Sequence, residues 1–257
     1  MSTLAALASA LSAGTVEVID LTSPLSNHTP VIALPPEFGQ TASFELEEIS
    51  RYDDRGPAWY WNNFRSGEHT GTHLDAPNHW VTGRGKADVA SVPAQHLVAP
   101  AAVLDFAAEA SADPDFLLEV DHIKDWEERH GPLPERGWLL YRTGWDSRSA
   151  SQQEMVNADE SGPHSPGMSP ECARWVAEES PVVGLGVETV GTDAGAAHSF
   201  DPAFPCHSYL MGNDKYGLTQ LQNLKQLPPI GSVLIAGPLP IVTGSGAPAR
   251  VLALVEH

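Results

Sequence analysis

Five apolar runs of strand length are spread along the chain, at Ala101–Phe106, Trp138–Arg142, Val182–Val187, Ser232–Ala236 and Arg250–Val255. A further strand is expected at Val16–Leu25 (VEVIDLTSPL), where apolar and polar residues alternate before a loop punctuated by Pro30, Pro35 and Pro36. Two segments of helical period are set among these runs. Glu119–His130 carries Val120, Ile123 and Trp126 at helical spacing and stops at Gly131-Pro132. Ser169–Glu179 has a serine to cap it, Pro170 at its first position and Glu171 in its first turn. Strands and helices intermixed in this way confine the chain to an α/β or α+β domain. No internal repeat, low-complexity tract or composition shift marks a linker, so residues 1–257 are read as one domain.

Charge and cysteine content remove several function classes. The chain holds 14 basic and 33 acidic residues, for a net charge of −19. Such a field repels polyanions, which sets nucleic acid aside, and gathers divalent cations. No run approaches the ~18 apolar residues of a membrane span. The opening MSTLAALASALSAG lacks the basic n-region of a secretory signal and reads as a short helix, with cytoplasmic residence expected. Cys172 and Cys206 make neither a zinc ribbon nor a disulfide framework. Cys206 adjoins His207, but nucleophile and base are assembled from distant segments, so the pair is not read as a thiol catalyst. Gly83-Arg84-Gly85-Lys86 has Trp80 and Ala87 where a phosphate loop requires glycine and Ser or Thr. Gly184-Leu185-Gly186 lacks a third glycine, and Gly244-Ser245-Gly246 lacks the spacing of a nucleophile elbow.

The chemistry concentrates in His69–His79, HTGTHLDAPNH. In a regular strand His69, His73, Asp75 and His79 would share a face, yet His69 and His73 would stand ~13 Å apart. Metal–ligand bonds of ~2 Å cannot join them across that gap. If the two histidines share an ion, the chain must bend between them, and Gly71 permits the bend. An extended step then aims Asp75 to the same side, and Pro77 turns the chain so that His79 can return. Imidazoles with one carboxylate suit Zn²⁺, Mn²⁺ or Fe²⁺. The competing reading is a set of hydrogen-bonded loop histidines with no ion.

The full motif H-x-G-T-H-x-D-x-P-x-H resembles the signature of the metal-dependent cyclase family, which includes bacterial kynurenine formamidases and isatin hydrolases. Ile19-Asp20-Leu21-Thr22 resembles its opening strand, Arg142-Thr143-Gly144-Trp145 its central element, and Gly237–Arg250 its closing loop. The resemblance implies a swivelling β/β/α-type fold, with a mixed sheet or barrel-like β core flanked by helices. It implies a homodimer or dimer of dimers, residues 1–40 being an extension exchanged with the partner subunit. It also implies that His69, His73 and Asp75 hold the ion and that His79 is the acid/base, with His207 as the later catalytic histidine. Formamidase-like members carry a glutamate where Thr219 stands, and it helps bind a second ion. Threonine replaces that carboxylate poorly, so one ion is expected, Mn²⁺ or Zn²⁺, with Gln220 as a further oxygen ligand and Thr219 and Asp193 in support.

Trp59, Trp61 and Phe64 precede the motif and Trp80 follows it, which suits an aromatic wall for a flat substrate, although core packing explains tryptophans equally well. His164 and His198 read as surface-loop residues. The expected activity is hydrolysis of a small cyclic amide or aryl-amide such as isatin: the ion polarises the carbonyl and activates water, and His79 moves the proton. N-formylkynurenine is the alternative substrate, and a non-catalytic metal- or small-molecule-binding protein the alternative class.

Overall fold

The computed structural model describes residues 2–256. The opening helix forms as α1 (Thr3–Ala13): the Ser2 hydroxyl accepts the Ala5 amide, and Gly14 closes the helix at φ 73°. No residue of α1 is buried. The alternating segment becomes β1 (Val16–Asp20), and the proline-punctuated stretch after it carries no long element. A hairpin of β2 (Glu45–Asp53) and β3 (Gly56–Arg65) leads through a bend into the three-residue β4 (His73–Asp75).

From there strands and helices alternate. The order is α2 (Ala94–Leu97), β5 (Val98–Asp105), α3 (Ala107–Ala112), β6 (Leu117–Leu118), α4 (Val120–His130) and β7 (Trp138–Arg142). Next come α5 (Gln152–Val156), the small hairpin β8 (Ala158–Asp159) and β9 (Gly162–Pro163), and β10 (Gly167–Met168). The chain ends with α6 (Pro170–Glu178), β11 (Gly184–Val187), α7 (Pro205–Gly212), β12 (Tyr216–Thr219), β13 (Ser232–Pro238) and β14 (Gly246–Glu256). Helix α4 starts with a reciprocal Glu119–His122 cap and stops at Gly131, and Ser169 caps α6 by accepting the Cys172 amide.

Seven strands close into a mixed barrel. β5, β7, β11 and β12 run parallel, as strands joined by helical crossovers must. The ring continues antiparallel from β12 to β4, β4 to β14, β14 to β13 and β13 back to β5. β14 pairs with β4 through Gly246–Pro248 and with β1 through Leu252–Glu256. Arg250 also grips the Asp20 carboxylate at 2.6 and 3.0 Å, tying the opening strand to the closing loop.

Alternation along the strands sorts the core into two. On β7, Trp138 and Leu140 join Leu74, Leu218, Leu234, Val251 and Ala253 in one cluster, while Leu139 and Tyr141 face the other way. That second cluster packs Leu104, Leu185 and Val187 against Ile123 and Trp126 of α4, Val176 of α6 and Leu210 of α7. The barrel-and-helix architecture is the fold expected above.

Several elements differ from expectation or were not anticipated. β13 and β14 extend beyond Ser232–Ala236 and Arg250–Val255. β12 has four residues, too few for a periodic signal, and α7 opens behind Phe204 at φ 54° without a side-chain cap. Among the described residues no helix is long and apolar enough to cross a membrane.

Candidate active site

β4 is held on both edges. His73 lies opposite Thr219 and Pro248, and Asp75 opposite Gly217 and Gly246. The bend required before it is present: Gly71 has φ +67°, and a Cβ there would meet Leu25 Cδ2 at 2.6 Å. As a result the rings of His69 and His73 are edge-on, with centroids 5.2 Å apart. After Asp75, Pro77–His79 forms a single 3₁₀ turn in which the His79 amide donates to Ala76 O at 2.9 Å. That turn returns the His79 ring to stack on His69, with centroids 3.9 Å apart. α7 brings His207 to the same place, its ring 5.4 Å from that of His79.

The hydrogen-bond partners decide which nitrogen of each ring carries the proton. His73 Nδ1 lies 2.7 Å from Gly71 O, a group that only accepts, so Nδ1–H donates and Nε2 is the nitrogen turned to the carboxylate. That Nε2 is 3.3 Å from Asp75 Oδ1. His207 Nδ1 donates to Asp193, which also accepts the amides of Cys206 and His207 at 2.7 and 3.2 Å. Its free Nε2 is 3.9 Å from Asp75 Oδ2. His69 Nδ1 sits 2.7 Å from Asp75 Oδ1, and its Nε2 sits 2.8 Å from Ser245 Oγ. His69, Asp75 and His79 each place a ligand atom within 4.8 Å of the others. A buried carboxylate ringed by imidazole nitrogens, whose protons an ion can replace, fits a divalent cation of intermediate softness.

Electrostatics follow from burial and from these neighbours. Burial alone would raise the Asp75 carboxyl, but the charge of His73 and hydrogen bonds from His69 and His73 outweigh it and hold it well below the usual range. Burial pushes His79 down to about 3 despite the attraction of Asp75, with His69, His207 and His73 adding to the fall. For His207 burial acts downward too, yet Asp193 and Asp75 prevail and raise it. Glu188, fully buried at the end of β11, is pushed up to about 7 by burial and by Asp146. Its Oε2 accepts the amides of Thr143 and Trp145 at 2.8 and 3.1 Å, which gives the Arg142-Thr143-Gly144-Trp145 element a structural task.

The other expected site residues fall into two groups. Trp80 lies against His207 with ring centroids 4.8 Å apart, touches Phe204, and donates Nε1 to Ser208 Oγ at 3.1 Å. Thr219 Oγ1 is 2.8 Å from His73 Nδ1. Gln220 is buried, donates Nε2 to Pro30 O at 3.1 Å, and has an Oε1 without a hydrogen-bond partner among the described residues. Trp59, Trp61 and Phe64 are not brought to the histidines: they sit on β3, 48, 54 and 60% exposed, with Phe64 stacked on Phe44. His164 is bound between Asp115 and Asp159 at 2.7 and 3.1 Å, away from the cluster. A cleft of about 590 Å³ lies between residues 27–43 and 150–152, and none of the clustered histidines lines it.

Sequence reading missed Glu188, Glu68 and Ser245. Glu188 follows a glycine-rich strand and carries no motif. Ser245 lies in a Gly-Ser-Gly loop whose spacing resembles nothing catalytic, and it meets His69 only because β14 pairs with β4.

A closed mixed barrel whose shortest strand carries a buried aspartate among four histidines has the make-up of a hydrolase site built for a divalent ion. Residues 19–194 match the family model described as putative cyclase, and the chain belongs to this cyclase family. It is 45% identical to the isatin hydrolase of Roseibium aggregatum over 257 residues, covering 99% of this chain and 97% of that protein. A solved isatin hydrolase bound to the product analogue thioisatinate matches with a TM-score of 0.97 at 43% identity, covering 100% of both chains. The kynurenine formamidase of Salinibacter ruber is 31% identical over 195 residues, 74% of this chain and 77% of that protein.

Proposed function

We propose that this chain hydrolyses the ring amide of isatin or a close analogue, with His69, His73 and Asp75 holding one divalent ion, Mn²⁺ or Zn²⁺. The observation that carries the reading is the set of ring nitrogens of His69, His73 and His207 turned toward one buried carboxylate. When bound, the ion supplies Lewis-acid polarisation of the carbonyl and lowers the pKa of water. The remaining work belongs to the side chains. His79, neutral because burial holds it near 3, is in the form that accepts a proton from water at its open ring nitrogen. It returns that proton to the ring nitrogen of the substrate as the C–N bond breaks. His207, fixed by Asp193 at Nδ1, offers Nε2 to the carboxylate side of the site. Trp80 makes an apolar wall beside it, suited to a flat aromatic ring. Thr219 Oγ1, against His73, stands where the carboxylate expected for a second ion would be, which favours a single ion and the cyclic amide over N-formylkynurenine.

The chain acts as a homodimer or dimer of dimers in the cytoplasm, with α1 and the β2–β3 hairpin against the partner, while β1 stays in its own sheet. Two features support the assembly. An 11-residue helix with no buried residue is marginal alone, and so is a two-stranded hairpin exposed on both faces.

The test is an isatin and N-formylkynurenine assay with and without chelator, alongside metal content. Isatin turnover is expected to disappear on chelation and return with Mn²⁺ or Zn²⁺. His79→Ala should abolish turnover while leaving the ion bound. Loss of the ion in that variant would make His79 a ligand, and two ions per chain would overturn the single-ion reading.

A further inference from the structure

Glu68 precedes the first histidine of the motif, and nothing in the reaction above uses it. Its Oε2 accepts the Ser245 backbone amide at 3.0 Å and lies 2.7 Å from the Ser245 hydroxyl. The same hydroxyl lies 2.8 Å from His69 Nε2. A carboxylate has no proton to give, so the Ser245 O–H must donate to Glu68. Its oxygen is then left as an acceptor toward His69, so Nε2 carries a proton; without an ion Nδ1, 2.7 Å from Asp75 Oδ1, holds one as well, and that second proton is the one an ion would replace. The reverse assignment would set the bare Ser245 oxygen against a bare carboxylate oxygen at 2.7 Å, two acceptors with nothing between them.

We propose that Glu68 is a positioning residue that acts through Ser245 on His69, fixing its ring with the proton on Nε2 so that Nδ1 is the atom offered, beside Asp75 Oδ1, to the ion. The inference rests on the metal-site reading above and assigns His69 the opposite ring nitrogen to His73, whose Nδ1 is committed to Gly71 O. Packing supports the same orientation. A Cβ at Gly246 would lie 2.6 Å from His69 Cε1, so the loop after Ser245 presses on the ring and opposes a flip. Groups that hold the far nitrogen of a ligating imidazole typically change metal affinity by roughly 10–100-fold when removed.

Full-length protein stripped with chelator and titrated with Zn²⁺ or Mn²⁺ in a calorimeter tests this. Ser245→Ala is expected to weaken binding by roughly 10–100-fold, and Ser245→Thr, which keeps the hydroxyl, to restore it to within about threefold. Ser245→Ala leaves the charge unchanged, so its effect is not a loss of attraction between Glu68 and the cation. Glu68→Ala should weaken binding as well, and the double variant should be no weaker than the weaker single one, since both break one chain. A second readout needs no variant: long-range ¹H–¹⁵N spectra of the Zn²⁺-loaded wild type should show the His69 ring proton on Nε2. Wild-type affinity in Ser245→Ala, or a ring proton on Nδ1, overturns the inference while leaving the metal site standing. A wild-type chain that binds neither ion overturns the metal-site reading and this inference with it.

Discussion

β3 and the motif that follows it are neighbours in the chain and opposites in their surroundings. Across Gly56–Arg65 only Gly56 is buried, and the strand exposes Trp59, Tyr60, Trp61 and Phe64. Across 70–77 every residue is buried, and the side chains include three threonines or histidines and a carboxylate. The apolar stretch faces water and the polar stretch is enclosed. Hydrophobicity therefore does not place these segments; pairing does. β4 is enclosed because strands lie on both its edges, whereas β3 has only β2. Burying a polar group is costly unless partners are supplied, and the site supplies them to its histidines through Gly71 O, Thr219, Ser245 and Asp193.

This contrast can be broken at its strongest point by Asp75→Asn. Loss of the carboxylate should eliminate tight metal binding and reduce kcat/KM by roughly three orders of magnitude or more. Metal analysis and kinetics on the same sample check it. Next in size is Glu188→Gln, which probes enclosure by pH. A carboxyl raised from 4.5 to about 7 in the folded protein favours its neutral form there. Its contribution is complete below 4.5 and is lost as pH rises through about 7, on the order of 3 kcal/mol in all. Wild type should therefore lose stability relative to Glu188→Gln between those pH values, and the two curves should run parallel above them. Urea unfolding across pH measures this; parallel curves throughout would sink the assignment.

Gly71→Ala should cost about 1–2 kcal/mol from the left-handed backbone alone, with the Leu25 contact adding to it. The midpoint of thermal unfolding is expected to fall by several degrees. Trp61→Ser is the smallest in the single subunit, within about 0.5 kcal/mol, because an exposed side chain loses little. Its effect should appear as dissociation in sedimentation experiments. A large loss of subunit stability without dissociation would place the hairpin inside the protomer's own core.

What could be read from residues alone followed the strength of local rules. The strand Trp138–Arg142 and the Ser169 cap appear as expected, because a dense apolar run and an N-cap followed by proline act locally. The bend at Gly71 was legible too, since two histidines four residues apart can share an ion only if the chain between them is not extended. Elements made by tertiary pairing were not legible. Thr219 and Ser245 meet the motif across 146 and 176 residues, through the registers β12–β4 and β14–β4. The placement of Trp59, Trp61 and Phe64 shows the converse: proximity in sequence to the motif carries no guarantee of proximity in space, because a hairpin can stand away from the barrel.

β4 is the strand through which the barrel closes, and it is also where His73 and Asp75 reside. Closure and two of the three proposed ligands thus share one three-residue strand. An ion held there as proposed would act as a fastener on the seam between β12 and β14, and opening that seam would release it. If the ion is held there as proposed, thermodynamic linkage would make metal supply a determinant of the protein's lifetime as well as of its turnover. At free ion one hundred times the dissociation constant, the folded state gains about 2.7 kcal/mol. A cell that starves the site of its ion would lose the enzyme twice, first as a catalyst and then as a folded chain.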